Sequence, residues 1–370
     1  MAKKIISAGH ICLDITPVFP GSAKGQTIEA LLRPGKLLHL EGADVHTGGS
    51  VANTGLALKI LGNDVMLLGK IGKDPFGEAV KNVAASYGAS GLIEDEGSST
   101  SYSVVLAIPG YDRIFLHDPG ANDSFSGKDI PEAVLEDAVL FHFGYPPLMR
   151  KMFADGGIEL QNIFCRMKEH GIATSLDLAA VDPNSEAGQA DWQAILRSVL
   201  PYVDFFVPSF EELCFMLDRK RYDRLSGSGG DITEGLDLRA EALPLAKELI
   251  EMGCSSVLIK CGVSGMVYQT AREEKMRGIG WKLSLDAALW ADRSGIQPCF
   301  KADIVRSGTG AGDTSIAAFL TAMLRGCSPA DCTALAAAEG ACCVTAYDAL
   351  SGLRPIEELL ARIRAGWETV

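Results

Sequence analysis

A glycine-rich loop near the end of the chain leads into a small-residue helix and ends in a carboxylate. Its sequence is Arg306-Ser-Gly-Thr-Gly-Ala-Gly-Asp313. Glycines tolerate left-handed and crowded backbone, and a helix that opens near Asp313 adds the positive end of its dipole. The loop therefore predicts an anion-binding site made of backbone N–H groups. It lacks the Gly-Lys-Ser/Thr ending of a P-loop.

Asp313 is unexpected in such a site because its charge opposes that of a phosphate. A carboxylate is useful there if it accepts the proton of an attacking hydroxyl while the loop amides stabilise charge on a transferring phosphoryl group. The alternative is that Asp313 caps the helix and that the glycines only allow a tight turn. The residues of the loop leave both interpretations open.

A glycine pair lies far upstream, in Gly48-Gly-Ser-Val-Ala-Asn53. Gly48 and Gly49 would let a ligand ring approach the backbone, and a helix is predicted to start near Ser50 and to stop at Gly62. Asn53 falls in the first turn of that helix. Its amide can donate to and accept from a polyol, although an Asn near a helix start is more often structural.

An acidic residue follows the first predicted strand. The apolar run Lys4-Ile-Ile-Ser-Ala-Gly9 leads to Asp14. A strand followed by a glycine and then an acidic residue is common at the ligand-binding edge of a parallel sheet. Asp14 is therefore a candidate to bind sugar hydroxyls, with a turn or loop role as the alternative.

The chain alternates between strands and helices, and two β-rich segments interrupt this alternation. Alternation predicts an α/β domain. Residues 15–47 are punctuated by Pro and Gly, and residues 100–123 hold two β-rich runs around a Pro-Gly turn, which is a hairpin signal. These two segments are predicted to form a β-sheet lid. Residues 1–14, 48–99 and 124–370 are predicted to form the main α/β domain.

The second half of the chain continues the alternation. Strands are predicted at 139–143, 174–178, 203–207 and 256–260, an extended run up to Val305, and helices at 159–170, 192–200, from 209 and at 243–252. Residues 219–237 are predicted to be an exposed excursion. Gly262 and Gly265, in the turn after the strand 256–260, would let a flat purine approach, although a simple hairpin turn explains them better on its own.

Composition and charge limit the possible partners. With 370 residues, of which 47% are hydrophobic and 22% charged, the chain can bury a sizeable core. A formal net charge of -13 argues against a nucleic-acid surface. The first apolar segment is too short for a signal peptide, and no apolar run is long enough to span a bilayer. We expect a cytoplasmic protein without nucleic-acid or membrane partners.

The ten cysteines and six histidines show no metal-binding spacing. The cysteines form no C-x-x-C pair, and the histidines form no H-x-x-x-H or H-E-x-x-H pattern. The cysteines are predicted to be reduced thiols in the core.

The two glycine motifs together resemble the two signatures of the PfkB (ribokinase-like) carbohydrate kinases. The matching segments are Gly48-Gly-Ser-Val-Ala-Asn53 and Thr309-Gly-Ala-Gly-Asp313, and the resemblance covers nearly the whole chain. It implies a doubly wound, mostly parallel α/β sheet with helices on both faces and a small β-sheet lid. It also implies transfer of the γ-phosphoryl group of ATP to a sugar hydroxymethyl group, with Mg2+ on the phosphates. A homodimer formed through the lid is a further expectation.

The resemblance assigns a role to each matching position. Asp313 matches the catalytic base, and the N–H groups of Gly310, Ala311 and Gly312 match the anion hole. The sugar-binding positions are Asp14, Gly48, Gly49 and Asn53. The nucleotide side is formed by Thr309, Lys260, Gly262 and Gly265, and Glu212 matches the acidic residue that acts on hydrated magnesium.

The chain departs from the family pattern at several positions. Ser209 stands where the N-x-x-E motif has Asn, so the water network around magnesium is expected to differ. Ser307 and Gly308 replace the usual Asp-Thr, which puts the family's monovalent-cation site in doubt. The segment Phe143-Gly-Tyr-Pro-Pro147 lacks the Glu that ribokinases place there, which disfavours ribose itself.

The sequence therefore predicts an ATP-dependent sugar kinase. Arg113, in the predicted lid, is a candidate contact for an acidic or phosphorylated sugar, with surface exposure as the alternative. A nucleoside kinase of the same fold is a second hypothesis, in which Tyr102, Tyr111 or Phe115 would hold the base. A sugar-binding regulator is a third, and the retained Asp313 disfavours it because a pure binder has no use for a base poised against phosphate.

Overall fold

The computed structural model describes residues 3–111, 114–227 and 231–370. Strands β1 to β14 are Lys4–Gly9, Cys12–Val18, Gly42–Gly48, Asp64–Leu68, Lys70–Gly72, Ile93–Asp95, Tyr102–Leu106, Ile114–Asp118, Ala138–Gly144, Ala173–Leu176, Phe205–Phe206, Ser256–Lys260, Met266–Thr270 and Ser294–Gln297. Helices α1 to α15 are Ile28–Leu31, Ser50–Ile60, Pro75–Ser86, Glu132–Leu135, Arg150–Phe153, Ile158–Glu169, Trp192–Val199, Phe210–Leu217, Arg219–Ser226, Leu243–Glu251, Glu273–Met276, Ala287–Trp290, Ala311–Leu324, Pro329–Cys343 and Ile356–Arg364.

The main sheet has the strand order β14-β13-β12-β11-β10-β9-β1-β4. The strands from β12 through β4 are parallel, and β13 and β14 are antiparallel at one edge. Because β1 lies between β4 and β9, the strand order reverses there, which makes the carboxyl end of β1 a topological switch point. The doubly wound α/β fold implied by the resemblance is confirmed.

Both faces of the main sheet are covered by helices, so its central strands are buried and mostly apolar. Consecutive residues of β1 point into different cores: Ile5 packs in the cluster that contains Phe319 of α13, and Ile6 packs in the cluster that contains Phe164 of α6. Two cores therefore hold the sheet rigidly from opposite sides, and its strand ends provide a fixed platform for side chains.

A separate sheet of order β3-β2-β7-β8 lies beside this body, with a small core of its own formed by Phe19, Ala23, Leu31 and Ile108. β7 and β8 form the expected antiparallel hairpin. β2 already begins at Cys12, so Asp14 lies on this second sheet, the predicted lid, opposite His46 on β3 and Ser103 on β7. The sequence boundary between residues 14 and 15 therefore divides a continuous strand.

Three local predictions differ from the structure. The run 203–207 forms only the two-residue strand β11. The first part of the excursion is helix α9, whose start is capped by the Asp218 side chain and whose Arg219 guanidinium stacks on Phe215 at 3.8 Å. Residues 298–305, just before the glycine-rich loop, belong to none of the strands, and Val305 is 73% exposed.

The described residues include no helix with both the length and the apolarity needed to cross a membrane. All ten cysteines carry free thiols, most of them buried. A group of three or more His, Cys, Asp or Glu side chains arranged to hold a metal is absent from the described part of the chain.

Candidate active site

Polar side chains gather at the carboxyl ends of the parallel strands. His10 follows β1, Tyr145 follows β9, Asp177 follows β10, and Lys260 is the last residue of β12. Open α/β sheets bind ligands in the crevice at this edge, beside the switch point. The first turn of α13 lies over the same edge, because its Asp313 contacts Tyr145.

Asp313 is held by side chains from two other elements. It is 4% exposed and is the third residue of α13. Its Oδ2 accepts hydrogen bonds from Asn53 Nδ2 at 3.1 Å and from the Tyr145 hydroxyl at 2.8 Å. Its Oδ1 accepts from the Thr54 hydroxyl at 3.0 Å. Since Gly310 is the N-cap residue, the alternative in which Asp313 caps the helix does not describe its contacts.

The loop before α13 requires glycine at one position in particular. Gly310 has a φ of 75°, and a Cβ there would lie 2.2 Å from Ala349 Cβ. Gly308 has open space around it, so crowding does not explain that glycine. The first amides of a helix have no partner inside the helix. Of the amides expected in the anion hole, Ala311 N–H donates to Gly308 O at a long 3.3 Å.

A buried ion pair lies beneath this loop. Lys260 Nζ donates to Asp177 Oδ1 at 2.7 Å, and the two residues are 9% and 2% exposed. A Cβ on Gly312 would lie 3.6 Å from Lys260 Nζ. Burial alone would lower the pKa of Lys260, but the carboxylates of Asp177, Glu212 and Asp313 raise it. A positive charge is therefore maintained directly under the predicted anion hole.

Glu212 is oriented by the serine that replaces the family's asparagine. The Ser209 N–H donates to Glu212 Oε2 at 2.7 Å, and Glu212 N–H donates to Ser209 Oγ at 3.2 Å, which is a capping box at the start of α8. Ser209 also forms an isolated β-bridge with Lys260. The backbone N–H of Ser209 therefore fixes the Glu212 carboxylate, and the Ser209 hydroxyl caps the start of α8.

The glycine pair makes room for two side chains, those of Asp14 and His10. A Cβ on Gly48 would lie 2.1 Å from Asp14 Oδ2, and a Cβ on Gly49 would lie 2.6 Å from His10 Nδ1. The Cys12 thiol donates to Asp14 Oδ1 at 3.2 Å. Burial raises the pKa of the Asp14 carboxyl, although Cys12 and nearby histidines oppose the shift. The pair thus brings a carboxylate and an imidazole against the start of α2.

The turn after β12 is packed by the chain itself. A Cβ on Gly262 would lie 2.3 Å from Thr233 Oγ1, and the Ser264 hydroxyl donates to Thr233 O at 2.6 Å. A Cβ on Gly265 would lie 2.3 Å from Gln297 O. The space at Gly262 is therefore filled by the second part of the predicted excursion, and Val263, 58% exposed, is the side chain that the turn presents outward.

The residues just before the anion loop bond among themselves. Ser307 Oγ donates to Thr309 Oγ1 at 2.9 Å and accepts from Thr309 N–H at 3.1 Å. The Arg306 guanidinium lies over the ring of Tyr347, 5.6 Å from its centroid. The serine that replaces the family's aspartate is thus used to shape the loop.

Comparison with known proteins decides the family. The family model described as "pfkB family carbohydrate kinase" matches residues 21–355. The chain belongs to the pfkB family. Among curated relatives, probable fructokinase-3 of Arabidopsis thaliana is 23% identical over 223 residues, which are 59% of this chain and 60% of that protein. Fructokinase-1 of Zea mays is 23% identical over 177 residues, 47% of this chain and 50% of that protein.

Solved structures share the fold over the full length. Fructokinase with bound ATP from Xylella fastidiosa superposes with a TM-score of 0.70 at 20% identity, over 99% of both chains. Arabidopsis thaliana ribokinase complexed with ribose and ATP superposes with a TM-score of 0.68 at 19% identity, over 98% of both chains. At this identity the likeness establishes the fold alone.

In this pfkB-family chain the structure brings together most of the positions predicted to form the site. Asn53 contacts Asp313, Gly312 lies over Lys260, and Gly48 contacts Asp14. Arg113 lies outside the described residues. The roles assigned to these positions stay predictions.

The sequence prediction missed several site residues, namely His10, Thr54, Tyr145 and Asp177. Tyr145 carried one signal, because it stands in the Phe143-to-Pro147 segment that departs from the ribokinase pattern. Its backbone is left-handed, with a φ of 66°, which is uncommon for a residue with a side chain. Such conformations cluster at functional sites.

Proposed function

We propose that this chain transfers the γ-phosphoryl group of ATP to a hydroxymethyl group of a small sugar or sugar acid. The observation that carries the proposal is the position of Asp313, a carboxylate held by three side-chain donors at the amide end of α13. A fixed proton acceptor beside a fixed set of N–H donors is the arrangement that phosphoryl transfer to an alcohol requires.

In this proposal Asp313 accepts the proton of the attacking hydroxyl. The N–H groups of Gly310, Ala311 and Gly312 face the charge that develops on the transferring group, and the buried ammonium of Lys260 adds positive potential from below. Asn53, Thr54 and Tyr145 keep the carboxylate oriented. These donors cost no reorganisation during the reaction because they are bonded beforehand.

The nucleotide would lie along the turn after β12. Thr309 belongs to the anion loop and Lys260 lies under it, and the turn after β12 would present the exposed Val263 to the base. Mg2+ would accompany ATP and neutralise phosphate charge. Glu212 fits the role of a carboxylate that acts through water, because its orientation is fixed by Ser209 and its charge reaches Lys260.

The lid sheet would close over the acceptor and exclude water from the reaction. Its outer strands expose apolar side chains, including Val45 at 50% and Leu116 at 54%. A homodimer through this sheet remains our prediction, and sedimentation of the wild type and of a Val45→Lys variant tests it. A monomer at micromolar concentration in the wild type would contradict it.

The experiment that tests the proposed function measures ADP release from ATP with ribose, fructose, 2-keto-3-deoxygluconate, adenosine and inosine. The sugar kinase proposal expects acceptor-dependent ADP release with one of the first three acceptors and its loss in Asp313→Asn. Release only with adenosine or inosine would support the nucleoside kinase hypothesis. Sugar binding without any ADP release would support the regulator hypothesis.

A further inference from the structure

His10 is a buried histidine that has no role in the reaction proposed above. It is 1% exposed, and neither Nδ1 nor Nε2 has a hydrogen-bond partner among the described residues. Buried polar atoms in folded proteins are almost always bonded, because an unsatisfied group loses the hydrogen bonds it made to water. Two unsatisfied nitrogens on one ring therefore need an explanation.

A second buried histidine, on the neighbouring strand, shows that burial alone does not leave both ring nitrogens without hydrogen bonds. His142, on the neighbouring strand β9, is 0% exposed, and its Nε2 and Nδ1 lie 3.3 Å from Ser50 Oγ and 3.0 Å from Ser175 Oγ. Both of its nitrogens are satisfied within the protein. The contrast indicates that the partner of His10 comes from outside the described chain.

The surroundings of His10 identify the place as the acceptor end of the site. Its Nδ1 faces the position where a Cβ on Gly49 would be, at 2.6 Å. Its ring lies 5.1 Å from that of His117 on lid strand β8 and 6.1 Å from that of Tyr145. The Tyr145 hydroxyl reaches Asp313 at 2.8 Å. The imidazole therefore lies between the lid and the residue that orients the proposed base.

We propose that His10 is a substrate-binding residue that hydrogen-bonds a hydroxyl group of a neutral polyhydroxylated acceptor. The inference rests on the proposed kinase function and narrows its acceptor class. A neutral imidazole has one N–H donor and one acceptor nitrogen, which matches a hydroxyl group that both donates and accepts. Burial lowers the pKa of His10, and His117 adds to this, so the ring stays neutral near pH 7.

Among the described residues, the charges around His10 also favour a neutral sugar. Asp14 contributes a carboxylate there, in contact with the Cys12 thiol. His117 bonds Ser103 Oγ through Nδ1 at 3.0 Å, and burial lowers its pKa, so it contributes no fixed positive charge. The Lys260 ammonium is paired with Asp177 and lies under Gly312 of the anion loop. A sugar acid or a phosphorylated sugar would therefore meet the like charge of Asp14.

The test compares His10→Leu with the matched variant His142→Leu. For His10→Leu we expect an acceptor KM raised by about 10-fold to 100-fold, an unchanged KM for ATP, and a melting temperature without acceptor that is equal to or above the wild type. His142→Leu should instead lower the melting temperature, since it leaves the hydroxyls of Ser50 and Ser175 without a partner. The Asn side chain of His10→Asn keeps one hydrogen-bond donor and one hydrogen-bond acceptor. Its KM for the sugar should therefore return most of the way to the wild-type value.

Four results would overturn the inference. An acceptor KM unchanged in His10→Leu, or a melting temperature that falls as far as in His142→Leu, would make His10 a structural residue. So would the failure of both His10→Leu and His10→Asn to fold. A wild-type preference for 2-keto-3-deoxygluconate over fructose and ribose would contradict the inference that the substrate is a neutral sugar.

Calorimetric binding of fructose and ribose without ATP separates this inference from the proposed function. If the wild type binds one of these sugars and His10→Leu does not, the role of His10 stands even when no ADP is released. Absence of ADP release with every acceptor would then contradict only the kinase activity. Absence of binding to every neutral acceptor would contradict the inference about His10.

Discussion

The proposed base end of the site, around Asp313, and its proposed acceptor end, around His10 and Asp14, differ in how far their polar groups are bonded within the protein. At the base end, Asp313 accepts from Asn53, Thr54 and Tyr145. At the acceptor end, both nitrogens of His10 lack a partner among the described residues, while the Asp14 carboxylate is hydrogen-bonded by the Cys12 thiol and by the Ser103 side chain. A group that performs chemistry gains from being fixed in advance, whereas a group that recognises a ligand must keep bonds for that ligand.

The largest expected effect comes from making one substitution at each end. Asp313→Asn should lower turnover by about 10²–10⁴-fold, the range for a lost general base, with little change in acceptor KM. The fold should persist, because the new amide oxygen can accept from Asn53 and Tyr145 while its nitrogen donates to Thr54. Asp14→Asn should instead raise the acceptor KM by roughly tenfold. Steady-state kinetics of both variants checks this division, and near-normal turnover in Asp313→Asn would reduce Asp313 to a structural residue.

The two buried histidines give the next prediction, on stability and pH. Burial and the Lys260 charge lower the pKa of His142 to about 3, against about 6.5 in the unfolded chain. Between these values the unfolded state binds a proton that the native state does not, so stability falls as pH drops below 6.5. At pH 5 the loss from His142 is about 2 kcal/mol.

Urea unfolding of the wild type and of His142→Leu between pH 7 and pH 5 measures this contribution. The variant should be less stable at pH 7 but should lose less stability on acidification. His10→Leu should show the same weaker pH dependence without the loss at pH 7, since burial lowers the pKa of His10 as well. Equal pH dependence in all three proteins would contradict the assignment of buried neutral rings.

A smaller effect is expected at the residue that joins the two ends. Tyr145→Phe removes the hydroxyl that donates to Asp313 Oδ2 but keeps the ring beside His10. The variant loses one hydrogen bond to the charged carboxylate of Asp313. We expect turnover to fall by about tenfold, with a small change in the KM for the sugar. Tyr87→Phe, at an exposed position after α3, is the matched control. An effect on the KM for the sugar alone would mean that Tyr145 binds the sugar and does not orient Asp313.

The sequence predicted the parts of this site that are local in the chain. The loop 306–313 and the helix after Gly49 are specified by neighbouring residues, and alternation of strands and helices predicted the α/β class. Thr54 and Tyr145 were missed because they reach Asp313 across 259 and 168 residues, a meeting that only the strand order of the sheet brings about.

His10 and the lid boundary show a second limit of sequence reasoning. Whether a histidine is buried without partners depends on the packing of Gly49, the lid and Tyr145 around it, which no spacing in the sequence encodes. The strand that carries Asp14 begins two residues before that carboxylate, at Cys12. Composition changes only later, at the Pro-rich segment, so the predicted boundary fell inside the strand.

The smallest expected effect concerns potassium. It tests whether the polar groups of the loop before the anion site are bonded within the protein, as those around Asp313 are. In the resembled family an aspartate helps to hold a monovalent cation beside this loop, and Ser307 stands in its place. Ser307 is bonded within the loop to Thr309, and Arg306 lies over Tyr347. A hydroxyl is a weaker ligand than a carboxylate for a hard cation, and here it already has partners.

We therefore expect initial rates in potassium and in tetramethylammonium, at matched ionic strength, to agree within about twofold, a barrier difference below about 0.5 kcal/mol. Ser307→Asp is the informative variant, because it restores the family's carboxylate and should introduce a potassium response if the rest of that site is present. Activation of the wild type by potassium of roughly tenfold, about 1.4 kcal/mol of barrier, would contradict the prediction. Such activation would mean that backbone carbonyls around the loop bind the cation without a carboxylate. The loop would then resemble the acceptor end, because some of its polar groups would be bonded only when a ligand is present.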